Sequence, residues 1–171
     1  MALGLMLSGC GPSAAQVGAA RAAVYKVPES TAFELAVAAT RSKFKIAEAD
    51  PRQGMFLTQG KWYSPDGQPW SAGAGDTVMV TDGSLMVALL VAIVPLPDDT
   101  VRVDVTPYTE KHVSGQSQND VLKPNDPRLP GWVTGKADAL AIEIHAALKD
   151  YEVVATTQAP ATGSAPQPTP E

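Results

Sequence analysis

Ten consecutive uncharged, apolar residues, 85–94, constrain the fold of this chain more than any other stretch. A membrane-crossing helix needs about 20 such residues, so a run of half that length belongs inside a globular core. Turn signals close it on both sides, with Asp82-Gly83 before it and Pro95-Leu96-Pro97-Asp98-Asp99 after it. A short apolar run bounded by turns is expected as a buried strand. The next segment, 101–106, alternates apolar and polar residues, the pattern of a strand with one face covered. Successive side chains of a strand point to opposite faces, so Leu85, Val87, Leu89, Val91 and Ile93 share one face with Val78, Val80, Val101, Val103 and Val105. The other face then carries Met86, Ala88, Leu90, Ala92 and Val94, beside Met79 and a polar flank of Thr77, Thr81, Arg102, Asp104 and Thr106. An apolar centre with a polar rim either meets a partner or lies under a returning loop, for which 109–130 is available.

Around this centre the remaining elements fall into order. Residues 22–27 suit a short leading strand ended by Pro28. Thr31 and Glu34 have the spacing of a capping box, opening a helix to about Lys43 whose face is Phe33, Ala36, Val37, Thr40 and Phe44. The segment 44–48 alternates as a strand, 50–54 turns, and 55–63 returns as the next strand. A long Pro- and Gly-rich loop covers 64–76, and 77–81 with 85–94 flank Asp82-Gly83 as a hairpin. Residues 109–130 are polar and suit a surface loop. Val133, Ala137, Leu140, Ile144, Leu148 and Tyr151 mark the stripe of a closing helix. The expected fold is α+β: an antiparallel meander of about five strands, with an N-terminal and a C-terminal helix packed on one face.

Composition sets the limits of this reading. With 171 residues, 44% of them hydrophobic, the chain has core enough for one domain, placed at 21–154. The single cysteine rules out an intramolecular disulfide framework and a cysteine-based zinc site. A net charge of -5 opposes the basic footprint of nucleic-acid binding. At the ends, 10–20 is an Ala/Gly/Ser-rich flexible tether, at most about 35 Å long at its full extension. Residues 155–171, rich in Pro, Ala and Thr and without large apolar side chains, cannot offset the entropy of ordering and are expected to be disordered.

The run Leu7-Ser8-Gly9-Cys10, in which small residues precede the lone cysteine, resembles the lipobox of bacterial lipoproteins. The resemblance implies that 1–9 is the remnant of a signal peptide whose basic start lies upstream. It also implies that Cys10 carries a diacylglyceryl group and an amide-linked acyl chain such as palmitate. Gly11 after the cysteine, rather than Asp, implies passage to the outer membrane, facing the periplasm. The order of elements is similar to the helix-grip domains of small envelope lipoproteins, such as the C component of the β-barrel assembly machinery.

Chemistry-bearing patterns are few. His112 and His145 are far apart and outside any paired-ligand spacing. Gly131-Trp132-Val133-Thr134-Gly135-Lys136 approaches a phosphate loop but is one residue short between its glycines, and Ala137 stands where a hydroxyl is needed. Asp98-Asp99 suits a solvated turn better than a calcium loop. Ser8, Ser71 and Ser114 lack the setting of an activated nucleophile, and Gly73-Ala74-Gly75 is too short to identify a site. One constellation stands out: Trp62, Tyr63 and Trp70 bracket the Pro65-Asp66-Gly67 turn. They form either an aromatic platform for a glycan, a protein or a lipid surface, or a satellite cluster that pins the long loop, with Trp132 packing in the same way. The functional expectation is a non-enzymatic binding or assembly-accessory module of the outer membrane, without cofactor, metal or catalytic residue. Its partner would be an envelope protein or peptidoglycan, contacted through Trp62, Tyr63, Trp70, Met86 and Leu90. A helix-grip carrier of a small apolar ligand is the alternative, and an envelope hydrolase a more distant one.

Overall fold

The apolar run does become the central strand of a sheet. The structure, a computed structural model, describes residues 12–70 and 80–153. In chain order its elements are α1 (Ala14–Ala22), α2 (Glu29–Arg41), β1 (Ile46–Asp50), β2 (Met55–Thr58), β3 (Lys61–Tyr63), β4 (Leu85–Leu96), β5 (Thr100–Lys111), β6 (Asp120–Leu122) and α3 (Gly131–Leu148), followed by a single 3-10 turn, Lys149–Tyr151. This is an α+β fold, an antiparallel meander in the order β1-β2-β4-β5-β6, with β3 continuing the line of β2 beside β4. The hairpin of β4 and β5 keeps one unbroken register from Leu85↔Lys111 to Leu96↔Thr100. Asp98 (φ 63°) and Asp99 (φ 55°) turn it in left-handed backbone, which Asp tolerates better than most residues and which suits the right-handed twist of the strands.

Three strand expectations change. Residues 55–63 divide into β2 and β3 at Gln59-Gly60, because the Thr58 hydroxyl accepts from the Leu89 N–H (2.8 Å) in place of a backbone carbonyl, and Gly60 lies directly on the Met86 side chain. The segment 109–130 is not all surface loop: β5 runs on to Lys111 and β6 pairs with it. Its alternation escapes a hydrophobic reading because the buried position is Thr109, fully enclosed. Asp82-Gly83 does turn, but it ties to the far end of β5, with the Gly83 N–H on the His112 carbonyl (2.9 Å) and the Ser114 N–H on the Asp82 carboxylate (2.8 Å). Val80 and Thr81 belong to no strand, while Thr77, Val78 and Met79 lie outside the described residues.

The helices also differ from expectation at their starts. Where the flexible tether was expected, α1 forms, opened by a reciprocal cap in which the Gln16 N–H donates to Ser13 Oγ (3.2 Å) and the Ser13 N–H to Gln16 Oε1 (2.9 Å). Alanine is the best helix former, and Ala20 is buried as α1 packs on α3. Arg21 fastens the two with an ion pair to Asp138. For α2 the capping box at Thr31 is not used. The helix begins three residues earlier, with Pro28 in place of Thr31 as the cap; its ring fixes φ at -56°, and its carbonyl accepts from the Ala32 N–H (3.0 Å). Of the expected leading strand only Tyr25 pairs, with Val101 on one side and Glu152 on the other.

The inward row matches the sequence pattern: Leu85, Val87, Leu89, Val91 and Ile93 are all buried, as are Val101 and Val103. Leu89, Val91, Ile93, Val101 and Val103 meet Phe33, Ala36 and Val37 of α2 and Ala137, Leu140, Ile144 and Leu148 of α3, with Phe33 edge-on to Phe56 of β2 at 5.7 Å, while Leu85 and Val87 pack in a second cluster with Tyr63, Leu122 and Val133. Tyr151, expected on the α3 stripe, lies beyond the helix in the 3-10 turn and is exposed.

Candidate functional site on the outer sheet face

All the helix packing falls on that one face, and the described residues place no helix or second sheet over the other. Pleat and register determine what this outer face displays. Along β4 it carries Met86, Ala88, Leu90, Ala92 and Val94, of which Ala88 is covered, at 3% exposure, and Met86, Ala92 and Val94 are half-buried. The register pairs Leu57↔Leu90 and Met55↔Ala92 bring Met55 and Leu57 of β2 beside them. Trp62 of β3 stands opposite Met86. On the other side the pairs Ala88↔Tyr108, Leu90↔Thr106, Ala92↔Asp104 and Val94↔Arg102 supply the flank. Leu90, at the centre, is 38% exposed, a large apolar side chain open to water in the middle of a sheet.

The rim is polar and internally ordered. Arg102 holds Asp104 through two hydrogen bonds (2.9 and 3.0 Å), and the same contact raises the Arg102 pKa above its usual value. Tyr108 Oη donates to Glu110 (2.9 Å), whose other oxygen accepts from Asn119 Nδ2 (2.9 Å). Asn119 Oδ1 lies 3.3 Å from His112 Nδ1, and the His112 ring sits edge-on to Trp62 at 6.4 Å. Glu48 and Asp50 of β1 close the opposite side, where an open groove of about 350 Å³ runs past Gln53, Met55, Leu57 and Leu90. Both sides of the face thus carry charge around an apolar middle.

Of the residues picked out in the sequence, Trp62, Met86 and Leu90 come together here. Trp70 joins them, since its N–H donates to the Trp62 carbonyl (3.0 Å) and so lies directly across from it. Its indole Nε1 is buried without a partner among the described residues. Tyr63 leaves the set, because its neighbouring position in the pleat turns it to the helix side. There it is 6% exposed, against Trp132 (5.2 Å between ring centroids) with Lys136 Nζ 4.4 Å over its ring. Burial, helped by the charge on Lys61, lowers the Lys136 pKa. Trp132 Nε1 donates to the Pro65 carbonyl (3.2 Å), and Gly67 lies flat on the indole with φ +89°. Tyr63 and Trp132 therefore pin the loop, while Trp62 and Trp70 stand on the open side. Met55, Leu57 and Tyr108 were missed. Their signal was present in the opposite parity of Met55 and Leu57 to Phe56 and Thr58, but only the pairing with β4 gives that parity a direction.

The other patterns resolve into structure. His145 Nδ1 hydrogen-bonds the Tyr25 hydroxyl (2.9 Å); Tyr25 is 1% exposed and burial, then the charge of Glu152, pushes its pKa up to about 12. Residues 131–136 form the first turns of α3 rather than a phosphate loop. Among the described residues no three His, Cys, Asp or Glu side chains converge as metal ligands. Between helices and sheet the side chains are tightly enclosed: Val91 and Ala137 are 0% exposed and Leu140 1%. An open groove of about 760 Å³ lies elsewhere, between the end of α1 and Val153. Cys10, Ser8, Ser71, Gly73 and Gly75 lie outside the described residues. No protein-family model matches the chain, and no curated protein matches it.

Proposed function

We propose that the chain is a lipid-anchored outer-membrane protein whose domain works without catalysis, docking another envelope component on the outer face of its sheet. The observation that carries this reading is Leu90, exposed at the centre of an apolar patch rimmed by ordered polar groups. Burying apolar surface gains on the order of 25 cal/mol per Å², and an apolar centre with a polar rim is the arrangement of interaction surfaces. Anchorage rests on the Leu7-Ser8-Gly9-Cys10 run, and no described helix is long and apolar enough to cross a membrane. One acyl chain holds weakly, whereas two or three hold stably.

The ordered start of α1 shortens the reach of that anchor. Only three residue steps separate Cys10 from Ser13, the cap of α1, which limits the separation to about 11 Å. The domain would then ride close to the lipid surface, with little slack. Two measurements test the proposal in cells that express the chain behind a complete lipoprotein signal. Cys10→Ala is expected to lose palmitate labelling; label retained on that variant contradicts the anchor. A photo-reactive phenylalanine at position 90 is expected to cross-link one discrete envelope component, and the same probe at exposed Glu34 on α2 to give none. Equal patterns from both positions contradict the docking face.

A further inference from the structure

β5 carries a second feature, separate from the outer face. Val101 exchanges both backbone hydrogen bonds with Tyr25 (2.9 Å each), which fixes the parity of the strand: its odd-numbered residues turn N–H and C=O away from β4. Thr109 and Lys111 accordingly face β6, in the register Thr109↔Leu122 and Lys111↔Asp120. Between these flanks no described residue pairs with β5 as a strand. Among the described residues the N–H and C=O groups of Val103 and Val105, and the C=O of Pro107, have no hydrogen-bond partner. Pro107 fits this edge, since a proline in a strand is tolerated where its missing N–H faces no ladder. Alongside runs a slot of about 340 Å³, lined by residues 102–106 of β5 and by Arg21 and Ala141. The Arg21–Asp138 ion pair holds α1 against α3 at its wall.

We propose that this gap receives an extended peptide segment of another protein, added to β5 as a strand. A neighbouring strand lies about 4.8 Å away, and that column is already occupied at both ends, by Tyr25 and by β6. The free stretch, 102–108, is about 23 Å long at 3.3 Å per residue. A second copy of the chain cannot present its own β5 there, because its Tyr25 and β6 segments would meet those of the first. A single unfolded segment can enter. Alternate residues of it would face Val103, Val105 and Ala141 and need to be small or branched and apolar. The others would stand beside Arg102, Asp104 and Thr106 and need to be polar. Strand addition of this kind takes affinity from main-chain hydrogen bonds and specificity from every second side chain.

Amide exchange followed by NMR on the full chain tests the proposal. Alone, Val103 and Val105 amides are expected to exchange at least 100-fold faster than those of Arg102 and Asp104, which face β4. The acetylated, amidated probe peptide Lys-Val-Thr-Val-Thr-Val-Lys is then expected to slow Val103 and Val105 at least tenfold. The same peptide N-methylated on its β5-facing residues should leave them unchanged. Val105→Pro removes an edge donor and spares the ladder to β4, so it is expected to weaken probe binding at least tenfold, while Leu90→Glu binds the probe as the parent does. Slow Val103 and Val105 amides before peptide is added would show the edge already covered and overturn the proposal. So would equal binding of the N-methylated peptide, or no binding up to about 1 mM, a free energy near -4 kcal/mol. Should Val105→Pro not fold, the N-methylation comparison decides.

Discussion

Tyr25 joins packing to titration at a single side chain. It is enclosed between the start of β5 and α3, with its hydroxyl on His145. Its folded pKa of about 12 stands above the ordinary 10.0, so the folded state favours the neutral phenol. The stability this confers is complete below pH 10, where both states keep the proton, and is lost as pH rises from 10 through about 12. Tyr25→Phe is expected to cost about 1 kcal/mol at pH 7 through the lost hydrogen bond. That deficit should shrink in melts at pH 11, and a constant deficit across the range would remove Tyr25 as the titrating group. Gly67 gives a second test at this scale. Its φ of +89° strains any side chain, and a methyl group there would press on the Trp132 indole at 3.0 Å, so Gly67→Ala is expected to cost about 2 kcal/mol in a denaturant melt. A change under about 0.5 kcal/mol would show that the 64–69 turn is not pinned. Little of this was legible beforehand: the aromatic cluster was visible around Tyr63, but which ring faced inward depended on the strand's pairing with β4.

Elements were legible to the degree that their side chains are apolar. The rows of β4 and β5 and the stripe of α3 could be read directly, since period 2 or 3.6 appears wherever burial selects hydrophobic residues. α1 could not, because an Ala- and Gly-rich segment shows no contrast between faces, and its cap is a single Ser-Gln pair. β6 escaped because an edge strand of three residues buries only Leu122 deeply. The other edge, β1, is also sparsely apolar and shows a register irregularity between Ile46 and Glu48, with Glu48 and Asp50 beside it; bulges and charges of this kind discourage edge-to-edge pairing. A helix of nine residues is too short to persist alone, so α1 depends on its seat against α3. Deleting residues 1–22 is therefore expected to lower the melting temperature by more than about 4 °C, on the order of 1 kcal/mol. An unchanged melt would return the segment to the status of a tether.

At the scale of the whole molecule, the described residues make two layers, with the helices on one side of the sheet. Helices α2 and α3 cover one face of the sheet, and their contacts with Phe56, Leu89, Val91, Ile93, Val101 and Val103 make the main core. The opposite face keeps an apolar centre that this packing does not need. It follows that a charge placed on the inward row and one placed on the outward row of the same strand have different effects. Val91→Glu would bury an unpaired carboxylate and is expected to unfold the domain. Leu90, one residue away, is part-exposed, so Leu90→Glu should cost less than about 1 kcal/mol. The most direct measurement is the paired behaviour of Leu90→Glu: its melting temperature, and its cross-linking in the envelope from a photo-reactive residue at neighbouring Leu57. The expected result is a melt within about 4 °C of the parent and loss of the cross-linked component. An unfolded Leu90→Glu protein, or a folded one that still yields the same cross-link, would contradict it.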